Sequence, residues 1–218
     1  MWCIGELTEE YRRRMYALLA LYAKPLNPLE PVVCIDEKSL QLVAHSRAPL
    51  PMSVAQAAKQ DVRKGTCNLF VAVEAKAGQR TVVATEHRGK VEFVDFVACL
   101  LATVYAGVRV HLVLDNLNIH FAKSFHDVLG RRAAQRLLSR VVFHHTPKHA
   151  SWLNMAEIEL GILTRQCLDR RMPDHQMLQS EVQHWQDTRN AAGRTIEWKF
   201  TRQDADRKLG HHCVPLFT

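Results

Sequence analysis

The sequence lacks the features that mark exported, membrane-spanning or disulfide-stabilised proteins. No stretch approaches the roughly 18 to 20 consecutive apolar residues that a membrane helix requires, and residues 1–6 show no basic start followed by an apolar run. The six cysteines are scattered, and no Cys-x-x-Cys pair occurs among them. These absences predict a soluble, unexported protein with reduced thiols and no membrane partner.

Motifs of nucleophilic and nucleotide-binding enzymes are also missing. The chain has neither a Gly-x-Ser-x-Gly elbow for a serine nucleophile nor a Gly-x-x-x-x-Gly-Lys loop for a nucleotide phosphate. Histidines are plentiful: His144, His145 and His149 lie close together, and residues 211–213 read His-His-Cys. A structural zinc site is therefore an alternative that the sequence leaves open.

Charge is the clearest positive signal in the composition. The 218 residues include 29 lysines and arginines against 22 aspartates and glutamates, which gives a net charge of +7. A basic balance favours a polyanionic partner such as nucleic acid, but it also serves solubility alone. The hydrophobic fraction of 47% is enough to bury the core of one domain.

Hydrophobic spacing predicts strands that alternate with helices. Apolar runs rich in β-branched residues predict strands at 31–36, 39–45, 66–75, 81–87, 108–114 and 141–145. Helical spacing predicts helices at 11–24, 91–105, 123–140, 152–171 and 176–192. Residues 46–64 show no clean period and are predicted to be an irregular insertion. This order predicts an α/β mixed sheet, with one antiparallel hairpin plus parallel strands, flanked by helices.

Two predicted strands lead directly into an aspartate, Asp36 and Asp115. Either residue alone could be a turn former or a helix cap. Together they place two carboxylates at a sheet edge, where α/β proteins carry out their chemistry. Carboxylates can hold two Mg²⁺ or Mn²⁺ ions, which neutralise the attacking and leaving oxygens in phosphodiester cleavage.

A third acid should come from the predicted helix 152–171. Glu157 and Glu159 are both available there, and about 200° separates them around the helix axis. They fall on opposite flanks of the apolar stripe of this helix, so periodicity does not choose between them.

Three blocks of the chain resemble bacterial insertion-sequence transposases of the mariner-type superfamily, in the insertion sequence 630 branch. The blocks are Val-Cys-Ile-Asp-Glu-Lys-Ser around Asp36, His-Leu-Val-Leu-Asp-Asn-Leu-Asn-Ile-His around Asp115, and Lys-His-Ala-Ser-Trp-Leu-Asn-Met-Ala-Glu ending at Glu157. The resemblance implies a ribonuclease-H-like fold with an Asp-Asp-Glu active site. It makes Asp36, Asp115 and Glu157 the catalytic ligands of two Mg²⁺ or Mn²⁺ ions, and Glu159 a structural or surface acid.

The resemblance also implies the reaction and the partners. Metal-assisted hydrolysis at transposon ends would be followed by attack of the freed 3′-hydroxyl on target DNA, in the bacterial cytoplasm and at the nucleoid when DNA is bound. A homodimer is one arrangement that the family allows. The expected supporting residues are Asn116, His120 and Asn154, and the expected contacts to the DNA backbone are Arg63, Lys64, Arg88, Lys90, Lys123 and Lys148.

The predicted organisation has three parts. Residues 1–30 form a helix and linker, interpreted as the remnant of a connection to an absent DNA-binding region, 31–200 form the catalytic domain, and 201–218 form a tail. Two other functions stay open: a ribonuclease-H-like nuclease without strand transfer, and an inactive transposase remnant that lacks end recognition.

Overall fold

The computed structural model describes residues 8–45 and 61–209, which surround a five-stranded mixed sheet. The strands are β1 (Val32–His45), β2 (Asp61–Glu74), β3 (Gln79–Thr85), β4 (Val110–Leu114) and β5 (Val141–His145). Their order across the sheet is β3-β2-β1-β4-β5. β1, β2 and β3 are antiparallel neighbours, whereas β4 runs parallel to both β1 and β5.

Helices cover both faces of this sheet. They are α1 (Glu9–Ala23), α2 (Lys90–Thr103), α3 (Ala122–Leu129), α4 (Arg131–Leu138), α5 (Met155–Leu163), α6 (His175–Ala191) and α7 (Arg202–Leu209). Side chains of α2, α3 and α4 pack on one face against Val33 and Ile35. Those of α1, α5, α6 and α7 pack on the other, where Cys34 and Val71 are buried. The near-continuous apolar runs of β1 and β4 follow from this double coverage. No helix within the described ranges is long and apolar enough to cross a membrane.

The edge strand β3 is protected by side chains of α6. The backbone N–H groups of Arg80, Val82 and Ala84 would face outward from a free sheet edge. They donate instead to side-chain oxygens of α6, at 3.0, 2.7 and 3.0 Å. The three acceptors are Asn190, Gln186 and Gln179. Covering the edge in this way prevents pairing with another chain.

The predicted hairpin is confirmed, and its turn requires glycine. Gly78 has a φ of 67°, and a Cβ at this position would lie 2.9 Å from the backbone carbon of Gly193. The neighbouring α6 terminus therefore excludes any larger residue from the turn.

Several predicted elements differ from the structure. Strands 31–36 and 39–45 are one strand, β1, because β2 pairs with β1 along almost its whole length. The helix predicted at 123–140 is two helices, because Gly130 adopts a φ of 74°. The helix predicted at 152–171 starts only at Met155, after a short 3₁₀ turn, and ends in a π-helical turn.

The predicted domain limits fall on segments that pack together. Residues 61–64 of the expected insertion belong to β2, and residues 46–60 lie outside the described ranges. The expected tail contains the helix α7, which buries Ala205 against α1. α1 itself buries Met15 and Leu18 in the same core as Val113 of β4. Residues 8–23 therefore share their hydrophobic core with the predicted catalytic domain.

Candidate active site

Asp36 and Asp115 lie side by side where β1 and β4 diverge. The two strands are parallel, with Cys34 opposite Val113. Extending this register by two residues puts Asp36 next to Asp115, and the charge of Asp115 contributes to the raised pKa of Asp36. β1 then continues beside β2 alone, which leaves its other edge open next to Asp36. Asp115 follows the end of a strand, as predicted, but Asp36 lies within one, so that part of the prediction is wrong.

Each aspartate uses one oxygen in a hydrogen bond to the backbone. The N–H of Glu37 donates to Asp36 Oδ1 at 2.8 Å, and the N–H of Leu117 donates to Asp115 Oδ1 at 3.1 Å. Within the described residues, Oδ2 of each aspartate accepts no hydrogen bond. One oxygen therefore fixes each carboxylate, and the other stays available.

Glu157 reaches the same end of the sheet from the first turn of α5. The helix begins at Asn154, whose side chain accepts from the N–H of Ala156 at 3.1 Å and donates to the carbonyl of Ile35 at 2.8 Å. Asn154 thus ties the start of α5 to β1, one residue before Asp36. Both hydrogen bonds of Asn154 are to the backbone, and they fix where α5, with Glu157 in its first turn, begins.

Burial and negative charge act together on Asp36. Burial raises its pKa to about 7; the hydrogen bond from the Glu37 N–H opposes this rise, and the negative charges of Glu37, Asp115 and Glu157 add to it. The three predicted ligands are therefore electrostatically coupled. Within the described residues, no three His, Cys, Asp or Glu side chains are drawn together closely enough to hold a metal ion, so the acids form an open cluster.

Removing the charge of Asp36 should stabilise the metal-free protein. Because its folded pKa is raised, folding takes up a proton between about pH 4 and 7, and stability falls as the pH rises through that window. At pH 8 we expect the free energy of unfolding of Asp36→Asn to exceed that of the wild type by ~1–4 kcal/mol, since one pKa unit corresponds to ~1.4 kcal/mol. Urea unfolding in EDTA at pH 4 and pH 8 measures this gain, which should vanish at the lower pH.

The control Asp127→Asn should show no gain in the free energy of unfolding, because Lys90 and Lys123 lower the pKa of the Asp127 carboxyl. An unchanged free energy of Asp36→Asn at pH 8 would contradict the prediction.

His120 connects Asp115 to an acid that the sequence analysis missed. Its ring is fully buried, with Nδ1 2.6 Å from Asp115 Oδ1 and Nε2 2.6 Å from Glu37 Oε1. Burial lowers the pKa of His120, but the two carboxylates outweigh it and raise the value to about 9. Burial raises the pKa of Asp115, but the contact with His120 and the hydrogen bond from the Leu117 N–H outweigh burial and lower this pKa. In the sequence, Glu37 is only the residue after Asp36, between two predicted strands.

Glu159 lies in the core, on another side of α5. Its side chain is fully buried, and Oε1 lies 3.0 Å from Arg80 Nε and 2.7 Å from Arg189 Nε. Of the two roles predicted for this acid, structural or surface, the structure shows the structural one. Glu157, by contrast, is exposed at the open end of the sheet.

Asn116 and the histidines mainly hold the loops around the site. Asn116 donates to the carbonyl of Thr146 at 2.6 Å and accepts from Arg14 Nη1 at 2.9 Å. His144 Nε2 lies 2.9 Å from His111 Nδ1, outside any metal-binding group of the described residues. Residues 211–213 of the zinc alternative lie outside the described ranges.

The basic residues predicted to contact DNA are all exposed: Arg63, Lys64, Arg88, Lys90, Lys123 and Lys148. Lys90 and Lys123 both pair with Asp127. Lys64 is seven residues along β2 from Val71, the partner of Asp36, which corresponds to ~24 Å. Arg88 is close enough to lower the pKa of Asp115. Lys148 shares a surface cavity with Arg14 and Asn116.

An open cavity of about 640 Å³ adjoins Glu157. Aromatic rings form much of its wall: Trp152 and Trp198 are stacked at 6.3 Å between centroids, and Phe200 meets Trp152 edge-on at 5.2 Å. Glu157 therefore borders a space large enough for a nucleotide.

Comparisons with known proteins agree with this geometry. Residues 31–179 match the family described as DDE superfamily endonuclease. The structure is similar to the Mos1 transposase paired-end complex with the left transposon end (17% identity, TM-score 0.51) and to the Mos1 mariner paired-end complex with Mn (16%, 0.53). It is also similar to the Mos1 strand transfer complex (19%, 0.52). No curated protein matches the sequence.

These structural similarities cover 89%, 88% and 88% of the chain but only 61%, 61% and 57% of the three Mos1 chains. At such low identities they establish the fold. The mixed sheet flanked by helices is ribonuclease-H-like, as the sequence predicted.

Proposed function

Because the chain belongs to the DDE superfamily endonucleases, we propose that it is the catalytic domain of a mariner-type cut-and-paste transposase of the insertion sequence 630 branch. It would hydrolyse phosphodiester bonds at transposon ends and join the freed 3′-hydroxyl to target DNA. The observation that carries this proposal is the pair Asp36 and Asp115 at the fork between β1 and β4, electrostatically coupled to Glu157.

The chemistry of the donor set supports the proposal that two Mg²⁺ or Mn²⁺ ions bind here. Carboxylate oxygens are the hard ligands that these ions prefer, and Asp36 and Asp115 each keep one oxygen free of hydrogen bonds within the described residues. Burial first, and then the negative charges of Glu37, Asp115 and Glu157, raise the pKa of Asp36, and a bound cation would offset both effects. When bound, the ions would lower the pKa of the attacking water and stabilise charge on the leaving oxygen.

Other residues of the chain would hold the three acids in position. Asp36 is held inside β1, and Asp115 is held by the Leu117 N–H and His120, so both acids are fixed before DNA binds. Glu157 is exposed and free to adjust, while Asn154 anchors its helix to β1. Fixed ligands reduce the reorganisation that the transition state requires.

DNA is the proposed partner, both as transposon ends and as target. Arg88 acts electrostatically on Asp115, and Arg14 and Lys148 line a cavity with Asn116, the next residue in the chain. Such cations bind the phosphate backbone without reading sequence. The cavity beside Glu157 gives room for a nucleotide. Because the similar Mos1 structures are paired-end complexes, we propose that two copies of the chain act together.

A cleavage and joining assay tests the function. The chain is incubated with a labelled duplex that carries the proposed transposon end and with a supercoiled target plasmid, in Mg²⁺, in Mn²⁺ or in EDTA. We expect nicking and joined product with either ion and neither product in EDTA. Nicking without joining would support the alternative of a ribonuclease-H-like nuclease, and absence of both would support an inactive remnant.

A further inference from the structure

Glu37 and His120 form a buried charged chain that ends on a proposed metal ligand. We infer that they are positioning residues for Asp115: Glu37 fixes the His120 ring, and the ring fixes the Asp115 carboxylate for cation binding. This inference rests on the proposed function, since it gives Asp115 a metal to bind. Neither residue needs to touch the metal or DNA in this role.

The contacts on Asp115 restrict its rotation. His120 Nδ1 lies 2.6 Å and the Leu117 N–H nitrogen 3.1 Å from the same oxygen, Oδ1. The ring contact is an ion pair without hydrogen-bond geometry. Together with the hydrogen bond from Leu117 it holds Oδ1 in place and leaves Oδ2 for a cation. Outer partners of this kind orient metal ligands, and their loss typically weakens metal binding or activity.

Strand alternation explains why Glu37 acts through His120. Neighbouring residues of a strand point to opposite faces, so Glu37 lies on the face of Val33 and Ile35, packed against α2 and α3, whereas Asp36 lies on the other. The Glu37 side chain is 1% exposed. Glu37 and Asp36 cannot bind the same ion from opposite faces of the sheet. Glu37 is linked to Asp115 only through its contact with His120.

Burying the ion pair of Glu37 and His120 costs desolvation free energy. Within the described residues, neither Glu37 Oε2 nor His120 Nδ1 has a hydrogen-bond partner, and the His120 ring packs against Phe93 at 4.6 Å between centroids. A buried ion pair is often no more stabilising than apolar residues of similar volume. The pair therefore gains its value from orientation of Asp115 rather than from fold stability.

Substitutions that interrupt the charged chain of Glu37, His120 and Asp115 at different points test the inference. Glu37→Gln removes the charge but keeps an acceptor for Nε2. His120→Gln places an amide near Glu37 but removes the contact with Asp115. His120→Asn keeps a donor close to the position of Nδ1, and so near Asp115, but removes the contact with Glu37. Mn²⁺ binding to the full chain, measured by electron paramagnetic resonance, gives the affinity without turnover. His111→Gln on β4 is the matched control, because that ring is bonded to another histidine away from the acids.

We expect Mn²⁺ affinity to fall ~10–100-fold in His120→Gln, less in Glu37→Gln and His120→Asn, and not at all in His111→Gln. The double variant of Glu37→Gln with His120→Gln should bind no more weakly than His120→Gln alone, because Glu37 acts only through the ring. Saturating Mn²⁺ should restore cleavage by each variant, which an unfolding defect would not allow. Glu37→Gln is nearly isosteric and provides the test if the His120 variants do not fold.

The outcomes separate the inference from the proposed function. Wild-type protein that binds Mn²⁺ and cleaves, beside Glu37→Gln and His120→Gln variants with unchanged affinity, would overturn the positioning role alone. Additive losses in the double variant would also overturn it. A wild-type chain that neither binds Mn²⁺ nor cleaves DNA would overturn the proposed function, and the positioning role with it.

Discussion

Asp36→Asn, Asp115→Asn and Glu157→Gln are each expected to lower DNA cleavage by at least ~10³-fold, because loss of a metal ligand removes several kcal/mol of transition-state stabilisation. Each change removes a charge and keeps the size of the side chain. The folded structure should therefore persist. Nicking of a labelled duplex in Mg²⁺, with circular dichroism on the same samples, measures both effects.

Asp187→Asn is a suitable control for these three variants. Asp187 is exposed on α6 and accepts a hydrogen bond from Gln183. Its loss should leave the nicking rate unchanged. Wild-type nicking by Asp36→Asn or Asp115→Asn would rule out the proposed active site.

Glu159→Gln should damage the fold and spare the chemistry. Its carboxylate is fully buried between Arg80 and Arg189, and the Arg80 side chain is also fully buried. Losing one partner of a buried pair leaves an uncompensated charge, which costs about 3–5 kcal/mol. We expect urea unfolding to show a loss of that size, with a normal nicking rate per folded molecule at a temperature where the variant is still folded.

Glu181→Gln provides the comparison for Glu159→Gln. Glu181 pairs with Arg170 at the surface, where both side chains are partly exposed. Water screens such a pair, so its loss should cost less than about 1 kcal/mol. A folded Glu159→Gln that cannot nick DNA, beside an active Glu157→Gln, would reassign the third ligand to Glu159.

Local patterns predicted the elements whose surroundings are uniform along their length. α2 and α6 keep one apolar face against the sheet, and the hairpin of β2 and β3 has β-branched strands around Gly78. The patterns were wrong where a distant partner decides. β1 continues past Asp36 because β2 pairs with it, and no local signal marks that partner.

The site shows the same division. The two aspartates were recognisable because each follows an apolar strand, and the family resemblance selected Glu157. The charged chain from Glu37 to Asp115 was not recognisable, because Glu37 and His120 are 83 positions apart and meet only across β1 and the loop after β4.

The sequence by itself determined which segments are strands or helices and which acids could bind metal, because side-chain periodicity and carboxylate chemistry are local properties. Only the tertiary structure decided that Asp36 stands beside Asp115, that Glu159 is neutralised by buried arginines and that Glu37 reaches the site through His120. Each of these depends on strand order, register and helix orientation. Those are fixed by the simultaneous burial of both sheet faces, which couples residues far apart in the chain.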